Sequence, residues 1–266
     1  MKIAIIGTGN LGASIAKGLI TTNAITSLYL TKRNIEGIKS FEGYKNVIIG
    51  TNNIEAVKAS DVLIFTVQPG HFEDILETIK PYLNENHVII SAITGFTIPK
   101  IETLLGSHNY IIRAMPNTAI AVGKSMTCLC SNEQGKKRIK IAEAIFNRLG
   151  HSMTIPESHM QAATVVCASG IAFWMRLIRA TTQAAIQLGF DSKEAQELAM
   201  YTSEGAANLL ITSGSHPEME IDKVTTPMGC TIKGLNEMEH NGLSSSLIQG
   251  MVASFDKINN IKKEQI

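Results

Sequence analysis

The sequence predicts an α/β fold in which an N-terminal doubly wound parallel sheet, residues 1–155, is followed by an all-helical domain, residues 156–266. Strand and helix patterns alternate through the first half, as a parallel sheet with crossover helices demands. The first strand breaks at once into a glycine-rich turn, and beyond Ile155-Pro156-Glu157 β-branched runs thin out while helical spacing takes over.

The opening element is the most informative. Lys2-Ile3-Ala4-Ile5-Ile6 is a short apolar run, Gly7-Thr8-Gly9-Asn10-Leu11-Gly12 follows, and Ala13 to Leu19 continues helically. A dinucleotide fingerprint requires this strand, turn and helix context. Gly7 permits the tight turn, Gly9 lets backbone approach a pyrophosphate, Gly12 lets helix pack on strand, and free N–H groups at the helix start face the phosphates. These flanks favour a nucleotide site over an ordinary βα turn, and they predict a Rossmann-type domain with Ile6 and Gly7 through Gly12 at the cofactor.

Ser27-Leu28-Tyr29-Leu30-Thr31 is the second strand, whose end lies beside the adenosine ribose in such folds. An NAD site places Asp or Glu about 20 residues after the glycines. This chain has Thr31-Lys32-Arg33-Asn34 instead, two cations suited to a 2′-phosphate. The expectation is NADPH, with Arg33 the first ligand and Lys32 the second; NADH stays possible, and solvated turn cations are the plainer alternative.

Further elements follow in order: a strand at Val47-Ile48-Ile49, a short helix from Asn53 to Ala59, a buried strand from Asp61 to Val67, and a helix from His71 to Tyr82 with Phe72, Ile75, Leu76 and Ile79 on one stripe. Then come strands Val88–Ser91 and Tyr110–Met115 around a helix Ile98–Leu105, a strand within Val122–Leu129, and a helix over Gly135–Leu149. Ligands collect at the carboxyl ends of such strands. Thr66-Val67-Gln68-Pro69, Ala92-Ile93-Thr94-Gly95 and Met115-Pro116-Asn117-Thr118 are three such ends, which adds Val67, Gln68, Pro69, Thr94 and Asn117 as cofactor candidates.

The second half reads as long helices over about His159–Leu188, Ser192–Ser213 and Ile232–Ile258, with Ile261–Ile266 as a frayed tail. Gly189-Phe190-Asp191-Ser192-Lys193-Glu194 stops one helix and caps the next. Alanine-rich faces and few strands predict burial against a second copy, hence a homodimer or a larger oligomer built from dimers.

Composition narrows the class. The chain has 266 residues, 44% hydrophobic and 18% charged, with net charge +1, which fits a soluble globular protein and disfavours a nucleic-acid surface. Ile3 to Ile6 is too short for a signal sequence and no uninterrupted apolar stretch reaches spanning length, so cytoplasmic residence without membrane attachment is expected. The four cysteines, Cys128, Cys130, Cys167 and Cys230, lack paired C-x-x-C spacing, so no metal is expected. Cys128 and Cys130 read as buried reduced thiols.

Several blocks in order resemble pyrroline-5-carboxylate reductases: Gly7–Gly12, Val67-Gln68-Pro69, Arg113-Ala114-Met115-Pro116-Asn117-Thr118, Ser169-Gly170-Ile171-Ala172-Phe173, and Thr225-Thr226-Pro227-Met228-Gly229-Cys230-Thr231-Ile232-Lys233-Gly234-Leu235. The last is the most specific. The resemblance implies a Rossmann domain, a helical dimerisation domain, NAD(P)H, and reduction of 1-pyrroline-5-carboxylate to L-proline, the last step of proline biosynthesis. It further implies Asn53 as a cofactor-side asparagine, Glu157 as an acidic residue near substrate, and Ser169 and Gly170 as small residues beside the pocket. Read on their own, these four are a helix cap, a first-turn glutamate complementing a dipole, and tight helix packing.

The chemistry of the final block agrees. Gly229, Cys230 and Thr231 stand before a helix pattern, where backbone N–H groups can hold a substrate carboxylate, and the Thr231 hydroxyl can polarise or protonate the ring nitrogen as hydride arrives. A plain N-cap is the alternative for Thr231. Departures from the family pattern are Met228 for the first of a glycine pair, Cys167-Ala168 for Ser-Gly, Ile171 for proline, Gln68 for lysine, and Lys223. They leave two alternatives: a related imine or β-hydroxyacid reductase with altered substrate, and a catalytically weak NADP-binding regulatory homologue.

Overall fold

The computed structural model describes residues 1–22 and 25–264, with side chains through residue 259. Two compact units are present, Met1–Ala168 and Ser169–Glu264.

The first unit is built on eight strands: β1 Lys2–Ile6, β2 Ser27–Thr31, β3 Val47–Gly50, β4 Val62–Phe65, β5 Val88–Ser91, β6 Tyr110–Met115, β7 Ser125–Ser131 and β8 Gly150–Thr154. They lie in the order β3-β2-β1-β4-β5-β6-β7-β8, and every pair is parallel except β6 with β7. Strands β1, β4 and β5 are near-continuous apolar runs because helices cover both faces. On one face Ile3, Ile5, Leu28, Leu30 and Ile64 pack with Ile15, Ala16 and Leu19 of α1 (Asn10–Thr21) and with Ala142, Ile145 and Phe146 of the helix Ile139–Phe146. On the other, Ala4, Ile6, Leu63, Phe65 and Ile89 meet α2 (Asn53–Lys58), α3 (Phe72–Ile79) and α4 (Ile98–Leu105). Each fully buried Ile, Leu or Phe contributes about 1.5–3 kcal/mol.

The chain turns differently from expectation at several points. The helix expected over His71–Tyr82 is α3 flanked by 3₁₀ turns at Pro69–His71 and Lys80–Tyr82, because Pro81 removes the donor that would continue it. Phe72, Leu76 and Ile79 are buried on one stripe, and the partly buried Ile75 packs against the same core. Gly123, at φ 68, closes a 3₁₀ turn over Thr118–Val122, so β7 starts at Ser125 rather than Val122. The helix expected from Gly135 is a 3₁₀ turn to Arg138 followed by α5 (Ile139–Phe146). Strand β8 was not anticipated: Gly-His-Ser-Met-Thr is a polar edge strand with no apolar alternation.

After β8 comes α6 (Met160–Ala163), a π-helical stretch Thr164–Ser169, and α7 (Gly170–Gln187). Contrary to expectation, the run Glu157–Gln187 is long and apolar enough to cross a membrane by length and composition, with mean hydropathy 1.4 in its best window.

In the second unit α7 packs on α8 (Ser192–Ser213), where Ala195 and Ala199 are buried. Gly189 at φ 109 stops α7, and Asp191 caps α8 in a full capping box with Glu194. A further helix, α9 (Pro217–Lys223), was not anticipated. The third long segment is two helices, α10 (Cys230–His240) and α11 (Leu243–Glu264), parted by Gly242 at φ 79. Of the tail expected over Ile261–Ile266, residues 261–264 continue α11 and residues 265–266 lie outside the described residues.

Candidate active site

Strand order reverses between β1 and β4, and a cleft of about 550 Å³ opens at the carboxyl ends there. Ile6, Gly7, Gly9, Lys32, Arg33, Asn53, Val67 and Gln68 line it. The glycines act by distinct means. Gly7 sits at φ 91 and a Cβ there would collide with Val67, whereas a Cβ on Gly9 would meet nothing within 4 Å, so backbone is open to a ligand. Gly12 does not line the cleft, and a Cβ there would come within 2.6 Å of Thr66 Oγ1, so its absence lets α1 pack closely on the sheet. Thr8 is buried and donates its hydroxyl to Ile5 O.

Lys32 lies against Gly37 and Arg33 is exposed; among the described residues neither has an ion-pair partner. Asn52, not Asn53, caps α2, accepting from Ile54 N at 3.0 Å and Glu55 N at 3.4 Å. Asn53 is thereby left facing the cleft. Thr8, Asn10, Leu11, Gly12, Pro69, Thr94 and Asn117 do not line it. Thr51, His71, Asp74 and Ile75 do, without having been singled out from sequence. The signal for the last three was present: His71, Asp74 and Ile75 follow the Gln68-Pro69 strand end at helical spacing.

Asn117 is committed to protein on both sides of its amide. Its Oδ1 accepts from Ala119 N at 3.0 Å and its Nδ2 donates to Cys167 O at 3.1 Å. Glu157 complements a helix other than its own: its Oε1 accepts from Ile98 N, at the start of α4, at 2.6 Å. The same oxygen accepts from Arg113 Nη1 at 2.9 Å, and Arg113 is almost fully buried on β6. Burial beside this pair pushes the Cys130 thiol up to about 12, so Cys130 is an inert core thiol.

In the second unit, Thr226-Pro227-Met228-Gly229 closes a turn through Gly229 N donating to Thr226 O at 3.0 Å. Pro227 occupies its second position and Met228 its third, at φ 58, the only non-glycine with positive φ among the described residues. This is the geometry of a type II turn, which favours glycine at that third position. Met228 is fully exposed. A Cβ on Gly229 would collide with Thr226. Gly229 is the N-cap of α10, with no side-chain cap bond, so Thr231 is the second helical residue and not the cap. The helix begins at Cys230, two residues before its expected start. Ser169 ends the π-helical stretch, and Gly170 opens α7 and is buried.

Residues 157–261 match the family model described as pyrroline-5-carboxylate reductase dimerisation, and residues 2–95 match that described as NADP oxidoreductase, coenzyme F420-dependent. Pyrroline-5-carboxylate reductase 1 of Dictyostelium discoideum is 44% identical over 271 residues, covering 96% of this chain; the chain spans about half, 49%, of that relative's length. Pyrroline-5-carboxylate reductase 2 of the same organism is 40% identical over 273 residues, covering 96% of this chain and 91% of the relative. The solved pyrroline-5-carboxylate reductase of Coxiella burnetii superposes with TM-score 0.91 at 27% identity, over 97% of each chain. That of Plasmodium falciparum with NADP bound gives 0.86 at 26% identity, over 98% of each. With a relative 40% identical along nearly its whole length, and with both the glycine turn and the Thr225–Leu235 block folded as described, this chain belongs to the pyrroline-5-carboxylate reductase family.

Proposed function

We propose that this protein is an NADPH-dependent reductase converting 1-pyrroline-5-carboxylate to L-proline, with residues 1–155 binding the cofactor and residues 156–266 serving dimerisation and substrate binding. The observation that carries the reading is the Thr226–Gly229 turn, which opens α10 with Thr231 in its first turn, in a chain of this family. The cleft residues fit a dinucleotide: Gly9 leaves backbone exposed, and Lys32 and Arg33 stand where a 2′-phosphate lies in such folds. When bound, the dinucleotide supplies hydride.

The chain's own groups do the rest. Helical N–H groups after Gly229 have no intrahelical partners and hold the substrate carboxylate. The Thr231 hydroxyl donates to the ring nitrogen as its basicity rises, stabilising charge that develops only in the transition state. Ser169 and Gly170 keep side-chain bulk away from substrate, and Glu157 holds Arg113 and the start of α4 in place. The working unit is a homodimer, larger assemblies are multiples of it, and the partner is a small cyclic imine in the cytoplasm rather than nucleic acid or membrane.

Steady-state NADPH oxidation with 1-pyrroline-5-carboxylate, run beside the six-membered imine homologue, tests the reading. Turnover is expected with the five-membered imine; turnover with only the homologue, or with neither, overturns it. Thr231→Ala should lower kcat by about 10- to 1,000-fold with NADPH binding intact, and Thr231→Ser should recover much of it. Because Gly229 is the cap, the melting temperature of Thr231→Ala should stay near that of the parent. Unchanged turnover in that variant removes Thr231 from the mechanism.

A further inference from the structure

We propose that Cys128 and Cys167 form a redox modification site, a thiol pair that a hydroperoxide converts reversibly to an intramolecular disulfide. Cys128 lies on β7 and Cys167 in the π-helical stretch Thr164–Ser169, and their Sγ atoms are 3.9 Å apart. Both belong to the first compact unit. Cys128 is buried while Cys167 is partly open, so an oxidant has one entry point.

The two thiols are unequal in chemistry as well. The contact with Cys167 and burial hold Cys128 above the ordinary thiol range, and the same contact holds Cys167 below it. Cys167 is therefore the nucleophile and Cys128 the resolving thiol. The other cysteines have neither role: Cys130 is buried with a raised pKa, and Cys230 is exposed in the second unit.

In the first step the Cys167 thiolate attacks one peroxide oxygen; an S–O bond forms, the O–O bond breaks, and hydroxide leaves to be protonated to water. In the second, Cys128 gives up its proton and attacks the Cys167 sulfur; an S–S bond forms, the S–O bond breaks, and hydroxide takes that proton as a second water. Two thiols lose two electrons in total, and the peroxide gains them. The sulfurs must close by roughly 2 Å to bond. Cys128 is paired into the sheet on both sides of β7, whereas Cys167 lies in a π-helical stretch with an extra residue in its turn, so the Cys167 side is the one that moves. Its carbonyl is held by Asn117, and Cys128 pairs in register with Met115, two residues before Asn117, so oxidation acts on the carboxyl end of β6.

The test is treatment of the full-length protein with hydrogen peroxide, alkylation of remaining thiols and peptide mapping. A Cys128–Cys167 linked peptide is expected, with loss of two alkylatable thiols that dithiothreitol restores. In Cys128→Ala, Cys167 should be trapped by dimedone as the sulfenic acid; in Cys167→Ala, Cys128 should stay reduced. If Cys230 oxidises while Cys128 and Cys167 remain alkylatable, or if Cys167 oxidises in the parent with no linked peptide, the proposal fails. These readouts are of thiols and not of turnover, so they stand apart from the proposed reaction, and the parent's peptide map decides even if a variant does not fold.

Discussion

At the scale of single residues, the proposed cofactor distinction falls on Arg33. It is exposed just beyond β2, it lines the cleft, and among the described residues no carboxylate neutralises it. A charge-assisted bond to a phosphate contributes about 1.5–3 kcal/mol, and solvent exposure places this one near the lower end. Arg33→Ala should therefore raise the Kd for NADPH by about tenfold and leave that for NADH nearly unchanged, as read by titration of nucleotide fluorescence. Equal losses for both would assign Arg33 to solvent. Lys32, already lying over Gly37, should give a smaller discrimination when changed to Ala.

The turn before α10 shows how an element can hold a residue against its preference. Met228 adopts φ 58 because Pro227 ahead of it and the Gly229 N–H to Thr226 O bond behind it close a type II turn. The left-handed region costs an L-residue about 1–2 kcal/mol, whereas glycine enters it freely but raises the entropy of the unfolded chain by about 0.4–1 kcal/mol. Met228 is fully exposed, so no packing is lost on removing its side chain. Met228→Gly should thus stabilise by about 0.5–1 kcal/mol, seen as a higher urea midpoint with unchanged m. A lower midpoint would mean that the methionine contributes contacts absent from a single chain. Glu157 is a second lesson at this scale, since one carboxylate oxygen ties the start of α4 to Arg113 on β6.

For the whole molecule, association follows from what the second unit leaves uncovered. Trp174, Leu188, Tyr201 and Ile211 are each more than 60% exposed, on α7, its C-cap and α8, within the segment matched by a dimerisation family model. Apolar surface on this scale is characteristic of an interface, and obligate homodimer interfaces are large and hydrophobic. Sedimentation at micromolar concentration should show dimers or their multiples and no stable monomer. A well-folded, active monomer would contradict the dimer reading. The same exposed faces explain why Glu157–Gln187 resembles a membrane span by composition.

What the sequence by itself determined is the local and the periodic. Gly7 and Gly12 announce a turn because a Cβ at either would collide with Val67 or Thr66, and apolar runs such as Val62–Phe65 announce buried strands because both faces are covered. Asp191 and Gly189 likewise mark a helix boundary through bonds made within a few residues. Tertiary structure decided whatever depends on partners distant in the chain. Gly150–Thr154 is a strand because β7 offers an edge to it, not because of its own polar residues. Asn117 and Glu157 spend their polar atoms on Cys167 and on Ile98 and Arg113, which lie 44 to 59 residues away. Cys128 and Cys167, 39 residues apart in sequence, become a pair only because a π-helical stretch lies against the sheet. Periodicity reports which face of an element is apolar; it carries no information about which distant atom will satisfy a polar group, and that is settled by packing.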